Sequence, residues 1–257
     1  MKISGLKAIV FVSLWLCCTA VAATEEVPPS DWKKEGWDNF KSPVTTDGKY
    51  ALLIGGALTA TLLIFEDKIG DPFQNETVED RPLGSYSKYG DLAGQGYPNA
   101  VYFLGMLGYG YFRSDPQATR DSFGMAQASI YSGLITTALK YSVREPRPYD
   151  GSVKNSFPSG HSTMAFAFAS YIGCRHTLPW AIAAYSMAVF VAYSRINDNQ
   201  HYLHDTVAGA TIGESYGLGI CELENRINSP SKEAPKASTW YLAPTEGGAM
   251  AGVTYSY

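Results

Sequence analysis

Six segments of helical length, each rich in apolar residues, occupy most of the chain between residues 50 and 221. Within 127–143 the apolar residues recur at intervals of three and four, which is the spacing of one face of an amphipathic helix. No regular alternation of strands and helices is visible. The pattern predicts an all-α fold, a helical bundle of about six core helices. These helices are predicted at 50–66, 98–112, 117–142, 160–175, 178–194 and 201–221.

The two ends of the chain predict parts outside this bundle. Residues 1–23 combine two lysines, a short apolar run and small residues of the A-x-A type, which is typical of a signal peptide. The helical domain is predicted over 24–222, and the polar, Pro-containing stretch 223–239 is predicted to be a linker. Two aromatic stretches around a Gly-Gly pair in 240–257 predict a short C-terminal β-hairpin.

The signal peptide predicts a periplasmic or secreted protein, with an uncleaved anchor in the inner membrane as the alternative. Without residues 1–23 the chain keeps 18 basic and 24 acidic side chains, a formal charge of −6. Such an acidic product is a poor candidate for binding nucleic acid. Cys174 and Cys221 remain after cleavage, and they either form a disulfide or stay as two buried thiols.

The two most apolar segments, 50–65 and 178–193, each hold 16 uncharged residues, fewer than the roughly 20 of a spanning helix. The mean hydropathy of −0.11 is also low. These features favour a water-soluble bundle with these two helices inside, and short membrane spans are the alternative. Trp32 and Trp37 predict either a segment that binds peripherally at a membrane surface or a helix that folds onto the bundle. The long loop predicted at 66–98 is of a kind that often carries function.

Three short segments place cations next to apolar helices, where an unpaired charge is costly to bury. A dianionic phosphate would satisfy these cations, because arginine offers forked donors to its oxygens. The backbone N–H groups at the helix start in "PSGH" would complete an anion cradle. The candidate phosphate ligands are Lys140, Arg147, Ser159, Gly160 and Arg195.

His201 and Asp205 are four residues apart, so on a helix they share a face and can hydrogen-bond. That pair would orient an imidazole for nucleophilic attack. His204 has no carboxylate at the same spacing and points about 100° away from Asp205 on a helix. We therefore expect His204 to lie at the rim of the site or to be structural, as we expect of His176.

Together the segments resemble the type 2 phosphatidic acid phosphatase family, which also includes bacterial class A acid phosphatases and vanadium haloperoxidases. Its signature is K-x6-R-P, then P-S-G-H, then S-R-x5-H-x3-D. Every position is filled in order within residues 140–205. The matching residues are Lys140, Arg147, Pro148, Pro158 to His161, Ser194, Arg195, His201 and Asp205.

The resemblance implies an exported phosphatase that cleaves phosphate monoesters or lipid (pyro)phosphates through a phosphohistidine. His201 would be the nucleophile, Asp205 would orient it, and His161 would act as general acid and then as general base. The candidate ligands above would bind the phosphoryl oxygens.

No metal or cofactor is expected, because the sequence has no carboxylate–histidine cluster of the kind that two-metal phosphatases use. Vanadate should inhibit. The alternatives are a vanadium-dependent haloperoxidase, with vanadate as its cofactor, and a non-catalytic envelope protein. The choice between lipid and soluble substrates and the oligomeric state stay open.

Overall fold

The computed structural model describes residues 32–228, 236–245 and 248–256. Within these ranges the chain forms nine α-helices and one antiparallel pair of strands, and the predicted all-α fold is confirmed. The helices are α1 (Trp32–Thr45), α2 (Gly48–Ile64), α3 (Asp71–Asp80), α4 (Ser87–Gly94), α5 (Tyr97–Arg113), α6 (Pro116–Val143), α7 (Gly160–Arg175), α8 (Leu178–Asn197) and α9 (Leu203–Asn228), and the strands are β1 (Lys236–Thr245) and β2 (Gly248–Ser256).

Helix α6 is delimited by clear local signals, and its end positions a cation. Asp115 caps its start by accepting hydrogen bonds from the backbone N–H groups of Gln117 and Ala118. Arg144 ends it in a left-handed conformation, and its N–H bonds to the carbonyl of Lys140. Lys140 therefore lies in the last turn of a long helix, whose backbone holds it in a fixed place.

Helices α7 and α9 pack closely at the centre of the bundle because α9 carries glycine where it meets α7. A Cβ atom at Gly209 would lie 2.3 Å from the carbonyl oxygen of Ser159, and one at Gly213 would lie 2.2 Å from that of Thr163. The Ala- and Gly-rich sequence of α9 thus allows a close approach of the two helices. This contact fixes the start of α7 against the start of α9.

Two features of the chain differ from the sequence predictions, and a third, the C-terminal hairpin, is described only in its backbone. The predicted loop 66–98 contains α3 and α4, joined by short turns. The predicted linker is shorter than 223–239, because α9 continues to Asn228 and β1 begins at Lys236. The backbone of β1 pairs with β2 across Thr245 and Gly248, while the side chains of the hairpin and its packing lie outside the described residues.

The prediction that the two most apolar helices lie inside the bundle is wrong for α2, whereas one face of α8 is in the core through Ala184, Ala188 and Val191. Leu53 and Ile64 of α2 are 68% and 71% exposed, and Trp180 of α8 is 65% exposed. The core residues lie on α6, α7, α8 and α9, and the small residues of α9 allow a close backbone contact with α7. An apolar surface of this extent is typical of contact with a membrane or a partner.

By length and composition, no single helix within residues 32–228 could cross a membrane. The bent pair Lys33–Thr45 and Gly48–Ile64 could do so by the same criteria.

The chain divides into two compact units at Asp38 and Asn39. The described part of the first unit is the start of α1, where Lys34 and Asp38 form an ion pair at 3.9 Å and Trp37 is 58% exposed. In the second unit, Phe40 packs edge-on against Tyr131 with 5.8 Å between ring centroids. The predicted signal peptide lies outside the described residues.

In the second unit, Cys174 and Cys221 form a disulfide between α7 and α9. This settles the choice between a disulfide and two free thiols.

Candidate active site

His201 and Asp205 form a buried pair in which one carboxylate oxygen has several partners. Nδ1 of His201 lies 3.3 Å from Oδ2 of Asp205, and the hydroxyl of Ser156 donates to the same oxygen at 2.6 Å. Burial acts to raise the pKa of Asp205, but the hydrogen bonds from His201 and Ser156 outweigh it and lower that pKa. An ionised Asp205 selects the tautomer with the proton on Nδ1, which leaves the lone pair of His201 on Nε2.

The pair is built differently from the sequence prediction, because α9 begins at Leu203 rather than at residue 201. His201 therefore precedes the helix, and Asp205 is its third residue. Oδ2 of Asp205 also accepts the backbone N–H of Tyr202 at 2.9 Å, as the acid of a capping box does. The start of α9 thus fixes the carboxylate that orients His201.

His204 is buried behind this pair and does not lie at an open rim. Its Nε2 contacts Oε1 of Glu145 at 2.9 Å and lies 3.6 Å from Oδ1 of Asp205, so the expectation that it points away from Asp205 is wrong. Burial acts to lower the pKa of His204, but the hydrogen bond to Glu145 outweighs it and raises the pKa. Burial also raises the pKa of Glu145.

One carboxylate–histidine cluster, which was not predicted from the sequence, consists of Glu145, His204 and Asp205. Ligand atoms of Glu145, His204 and Asp205 all lie within 4.8 Å of one another, so this part of the described chain could hold a metal ion. The premise that no such cluster surrounds the motifs is therefore wrong. Metal independence stays a prediction.

His176 lies at the end of α7, where its Nε2 contacts the hydroxyl of Tyr102 at 2.9 Å.

The "PSGH" motif forms the start of α7, as predicted. Ser159 is buried and caps the helix, since its hydroxyl accepts the N–H of Ser162 at 3.4 Å. Its own N–H donates to the carbonyl of Asp205 at 2.9 Å, which joins this motif directly to the start of α9. Gly160 and His161 follow as the first two residues of α7, and backbone N–H groups at a helix start can bind an anion.

Lys140 and Arg147 are held by neutral oxygens. Nζ of Lys140 donates to the carbonyls of Asn155 and Ser156, and the guanidinium of Arg147 donates to the side chains of Asn155 and Gln200. Burial and the nearby charge of Arg147 lower the pKa of Lys140 to about 8. The positive charge of both side chains is thus available to an anion.

Arg195 is buried and turned inward, where it meets a carboxylate that the sequence analysis missed. Its Nη1 donates to Oδ1 of Asp91 at 2.7 Å, and Nε2 of His161 lies 3.1 Å from the same oxygen. Within the described residues, Nε of Arg195 is buried without a hydrogen-bond partner. A buried donor of this kind needs an acceptor.

The three motifs lie close enough together for the charges of one to shift the pKa values of another. Burial and the charge of Arg195 lower the pKa of His161 to about 4, and the charge of His201 adds to this effect. Burial also lowers the pKa of His201 to about 4. Asp205 acts to raise this pKa, while the charges of Lys140 and Arg147 lower it further. Charged side chains of each motif therefore affect a histidine of another motif, as expected if the three motifs surround a single anion.

The site brings two histidines, a carboxylate and three cations together in an all-α bundle, and these are the kinds of side chain that phosphoryl transfer uses. The PAP2 superfamily model matches residues 123–228, which contain all three motifs. This match bears out, for residues 123–228, the resemblance predicted from the motifs.

Two curated relatives are named lipid A 1-phosphatase. The one from Porphyromonas gingivalis is 36% identical over 117 residues, which are 43% of this chain and 25% of that protein. The one from Rhizobium johnstonii is 28% identical over 209 residues, which are 73% of this chain and 84% of that protein. The match thus spans a quarter of the first relative and most of the second. Their names agree with the predicted enzyme class, a phosphoric monoester hydrolase.

Two solved structures share the fold. Aquifex aeolicus LpxE has a TM-score of 0.50 and 23% identity, covering 60% of this chain and 95% of that one. The first transmembrane PAP2 type phosphatidylglycerolphosphate phosphatase from Bacillus subtilis has a TM-score of 0.54 and 20% identity, covering 73% of this chain and 98% of that one. The arrangement of helices is therefore shared with these two solved proteins.

Proposed function

We propose that this chain is an exported, metal-independent phosphatase that cleaves the phosphate monoester of a membrane lipid through a phosphohistidine at His201. The observation that carries the proposal is the pairing of His201 with an ionised Asp205 beside cations held by neutral oxygens. A neutral imidazole with a free lone pair is a nucleophile, and clustered cations stabilise the charge of a phosphoryl group in transfer.

The reaction has two steps. Nε2 of His201 bonds to phosphorus as the bond from phosphorus to the lipid oxygen breaks, and His161 gives a proton to that oxygen. Water then attacks the phosphohistidine, His161 takes up a proton from the water, and inorganic phosphate leaves as the N–P bond breaks. Lys140, Arg147 and Arg195 supply the positive charge in both steps.

A groove beside the site supports a lipid substrate. It has a volume of about 440 Å³ and extends between α6 and α7 from Lys140 and Gly160. Its far wall is apolar and includes Ile130, Leu134 and Met164. An acyl chain fits such a wall, because burying each CH₂ group stabilises the complex by about 0.8 kcal/mol.

Two further observations support the location and the substrate. The disulfide between Cys174 and Cys221 suits an oxidising compartment, which agrees with export. The names of the relatives make the 1-phosphate of lipid A the first lipid to test.

The test compares lipid A, phosphatidate, phosphatidylglycerolphosphate and a soluble aryl phosphate as substrates of the purified protein. We expect a higher kcat/KM for a lipid than for the aryl phosphate, inhibition by vanadate, and full activity after treatment with a chelator. Loss of activity with EDTA would contradict the metal-free mechanism and point to the Glu145–His204–Asp205 cluster. Halide oxidation that depends on vanadate would instead favour a haloperoxidase.

A variant in the groove tests the lipid site separately. Ile130 is 57% exposed in the groove, so Ile130→Trp fills it without disturbing the core. We expect the KM for the lipid to rise about tenfold or more, while the KM for the aryl phosphate stays unchanged. Leu104→Trp on α5, at a position 58% exposed, is the matched control and should alter neither. An unchanged KM for the lipid in Ile130→Trp would exclude this groove as the acyl site.

A further inference from the structure

Asp91, which lies in none of the three motifs, joins two residues of the site. Its Oδ1 accepts from Nη1 of Arg195 at 2.7 Å and lies 3.1 Å from Nε2 of His161, an ion-pair contact without hydrogen-bond geometry. Its Oδ2 accepts from Nε2 of Gln95 at 3.0 Å, so both oxygens are held. The Asp91 side chain is 42% exposed whereas that of Arg195 is 6% exposed, which places the carboxylate on the open side of the guanidinium.

The position of Asp91 depends on the close packing of α4 against α7 and α8. A Cβ atom at Gly90 would lie 2.2 Å from Oγ of Ser194, and one at Gly94 would lie 2.6 Å from Cδ2 of His161. Glycines four residues apart form one face of the helix, and here that face lies against α7 and α8. The short helix is thus shaped to bring Asp91 to His161 and Arg195.

We infer that Asp91 is a positioning residue that aligns the general acid His161 in the free enzyme and occupies Arg195 until a substrate phosphate replaces it there. The inference rests on the proposed phosphatase function. A carboxylate and a phosphate both bind arginine through oxygens, and two anions at one guanidinium repel each other. Asp91 therefore weakens the binding of an anion while it improves the transfer of a proton.

The charges around His161 agree with this role. It faces Asp91 from α4, Arg195 from α8 and His201 from the start of α9. Burial and Arg195 lower its pKa, and Asp91 acts in the opposite direction. Removing the charge of Asp91 leaves His161 protonated over a narrower range of pH.

The test uses Asp91→Asn, which keeps the shape of the side chain and removes its charge. The exposed Asp80 at the end of α3 is the matched control, as Asp80→Asn. We expect kcat for an aryl phosphate to fall about tenfold, a share of what a general acid contributes. The alkaline limb of the pH profile should move to lower pH, and the Ki of inorganic phosphate and of vanadate should fall several-fold. Asp80→Asn should match the wild type in all three.

A role in stability alone would give a different result, because weaker folding would reduce activity and anion binding together. An unchanged pH limb and an unchanged Ki in a folded Asp91→Asn protein would overturn the inference. Where Asp91→Asn does not fold, Gln95→Met decides, since it removes one hydrogen bond from Oδ2 at an exposed position. A smaller shift of the alkaline pH limb and of the two Ki values, in the same directions, supports the inference. No shift in either quantity overturns it.

A wild-type protein without phosphatase activity on any substrate would contradict the proposed function. The role of Asp91 at Arg195 can still be measured in that case by thermal stabilisation with inorganic phosphate. Stronger stabilisation of Asp91→Asn than of the wild type supports displacement of Asp91 by an anion. Equal or weaker stabilisation overturns it.

Discussion

The hydroxyl of Ser156 donates a 2.6 Å hydrogen bond to Oδ2 of Asp205. The same oxygen faces Nδ1 of His201 at 3.3 Å, so Ser156 helps to keep the Asp205 carboxylate ionised and correctly turned. Ser156 is fully buried and belongs to the loop that leads into α7. It therefore couples the second motif to the third through a side chain that the family signature does not include.

Replacing Ser156 by alanine removes this donor. We expect Ser156→Ala to lower kcat roughly tenfold, the effect of losing one hydrogen bond to a charged group, with little change in KM. The measurement is steady-state hydrolysis of an aryl phosphate. Ser142→Ala is the control, because that exposed hydroxyl bonds only within its own helix, to the carbonyl of Ala138. An unchanged kcat in Ser156→Ala would show that Asp205 does not need this partner.

The close contact of α9 with α7 makes Gly209 sensitive to any side chain. We expect Gly209→Ala to destabilise the protein by about 1–3 kcal/mol, because its Cβ would meet the backbone oxygen of Ser159. The same shift would separate Ser159 from Asp205 and lower kcat. Denaturant unfolding measures the first effect. Gly105→Ala, whose Cβ would meet nothing within 4 Å, should be neutral or stabilising by up to about 1 kcal/mol. Equal stability of the two variants would contradict the packing described above.

The pH dependence should differ between the free enzyme and its substrate complex. The pKa of His161 is lowered to about 4, and a general acid works only when protonated. In the free enzyme the protonated fraction of His161 therefore falls as the pH rises through about 4. Because His201 must lose its proton over the same range, kcat/KM should pass through a maximum near pH 4 and fall on its alkaline side. A bound phosphate dianion raises this pKa, so the alkaline limb of kcat should lie at higher pH. The measurement is both profiles with one aryl phosphate. Coincident limbs would mean that His161 does not face the phosphate.

The disulfide should stabilise the fold without contributing to the chemistry. Cys174 and Cys221 close a loop of 47 residues, and removing such a bond typically costs about 2–4 kcal/mol. We expect the double Cys→Ser variant to lose stability by this amount in denaturant unfolding. Its kcat at 25 °C should be unchanged, because Cys174 follows His161 by more than three turns of α7. A fall in kcat with stability intact would contradict this separation.

The helices and the three motifs could be predicted because they depend on local signals. Apolar spacing identifies each long helix, and Ser159 begins α7 as a serine at an N-cap commonly does. The pairing of His201 with Asp205 was predicted from their spacing, although the helix begins two residues later than expected. In these cases a short stretch of sequence carries the whole signal.

Burial and the role of Asp91 could not be predicted because both depend on contacts distant in sequence. The apolarity of α2 suggested a core helix, but burial depends on which helices present small residues to each other, and those are α7 and α9. Residues 66–98, which include "YGDLAGQG", were predicted to form a loop, and glycine does weaken isolated helices. In α4 the same glycines allow close packing, and their four-residue spacing was the available signal.

The identity of the nucleophile is tested directly by rapid quenching of the enzyme with radiolabelled substrate under alkaline conditions. We predict an acid-labile phosphoryl group on the peptide that contains His201, absent in His201→Ala, which should also lose turnover. His204→Gln should still acquire the label. A label on His204, or full turnover in His201→Ala, would contradict the proposed mechanism.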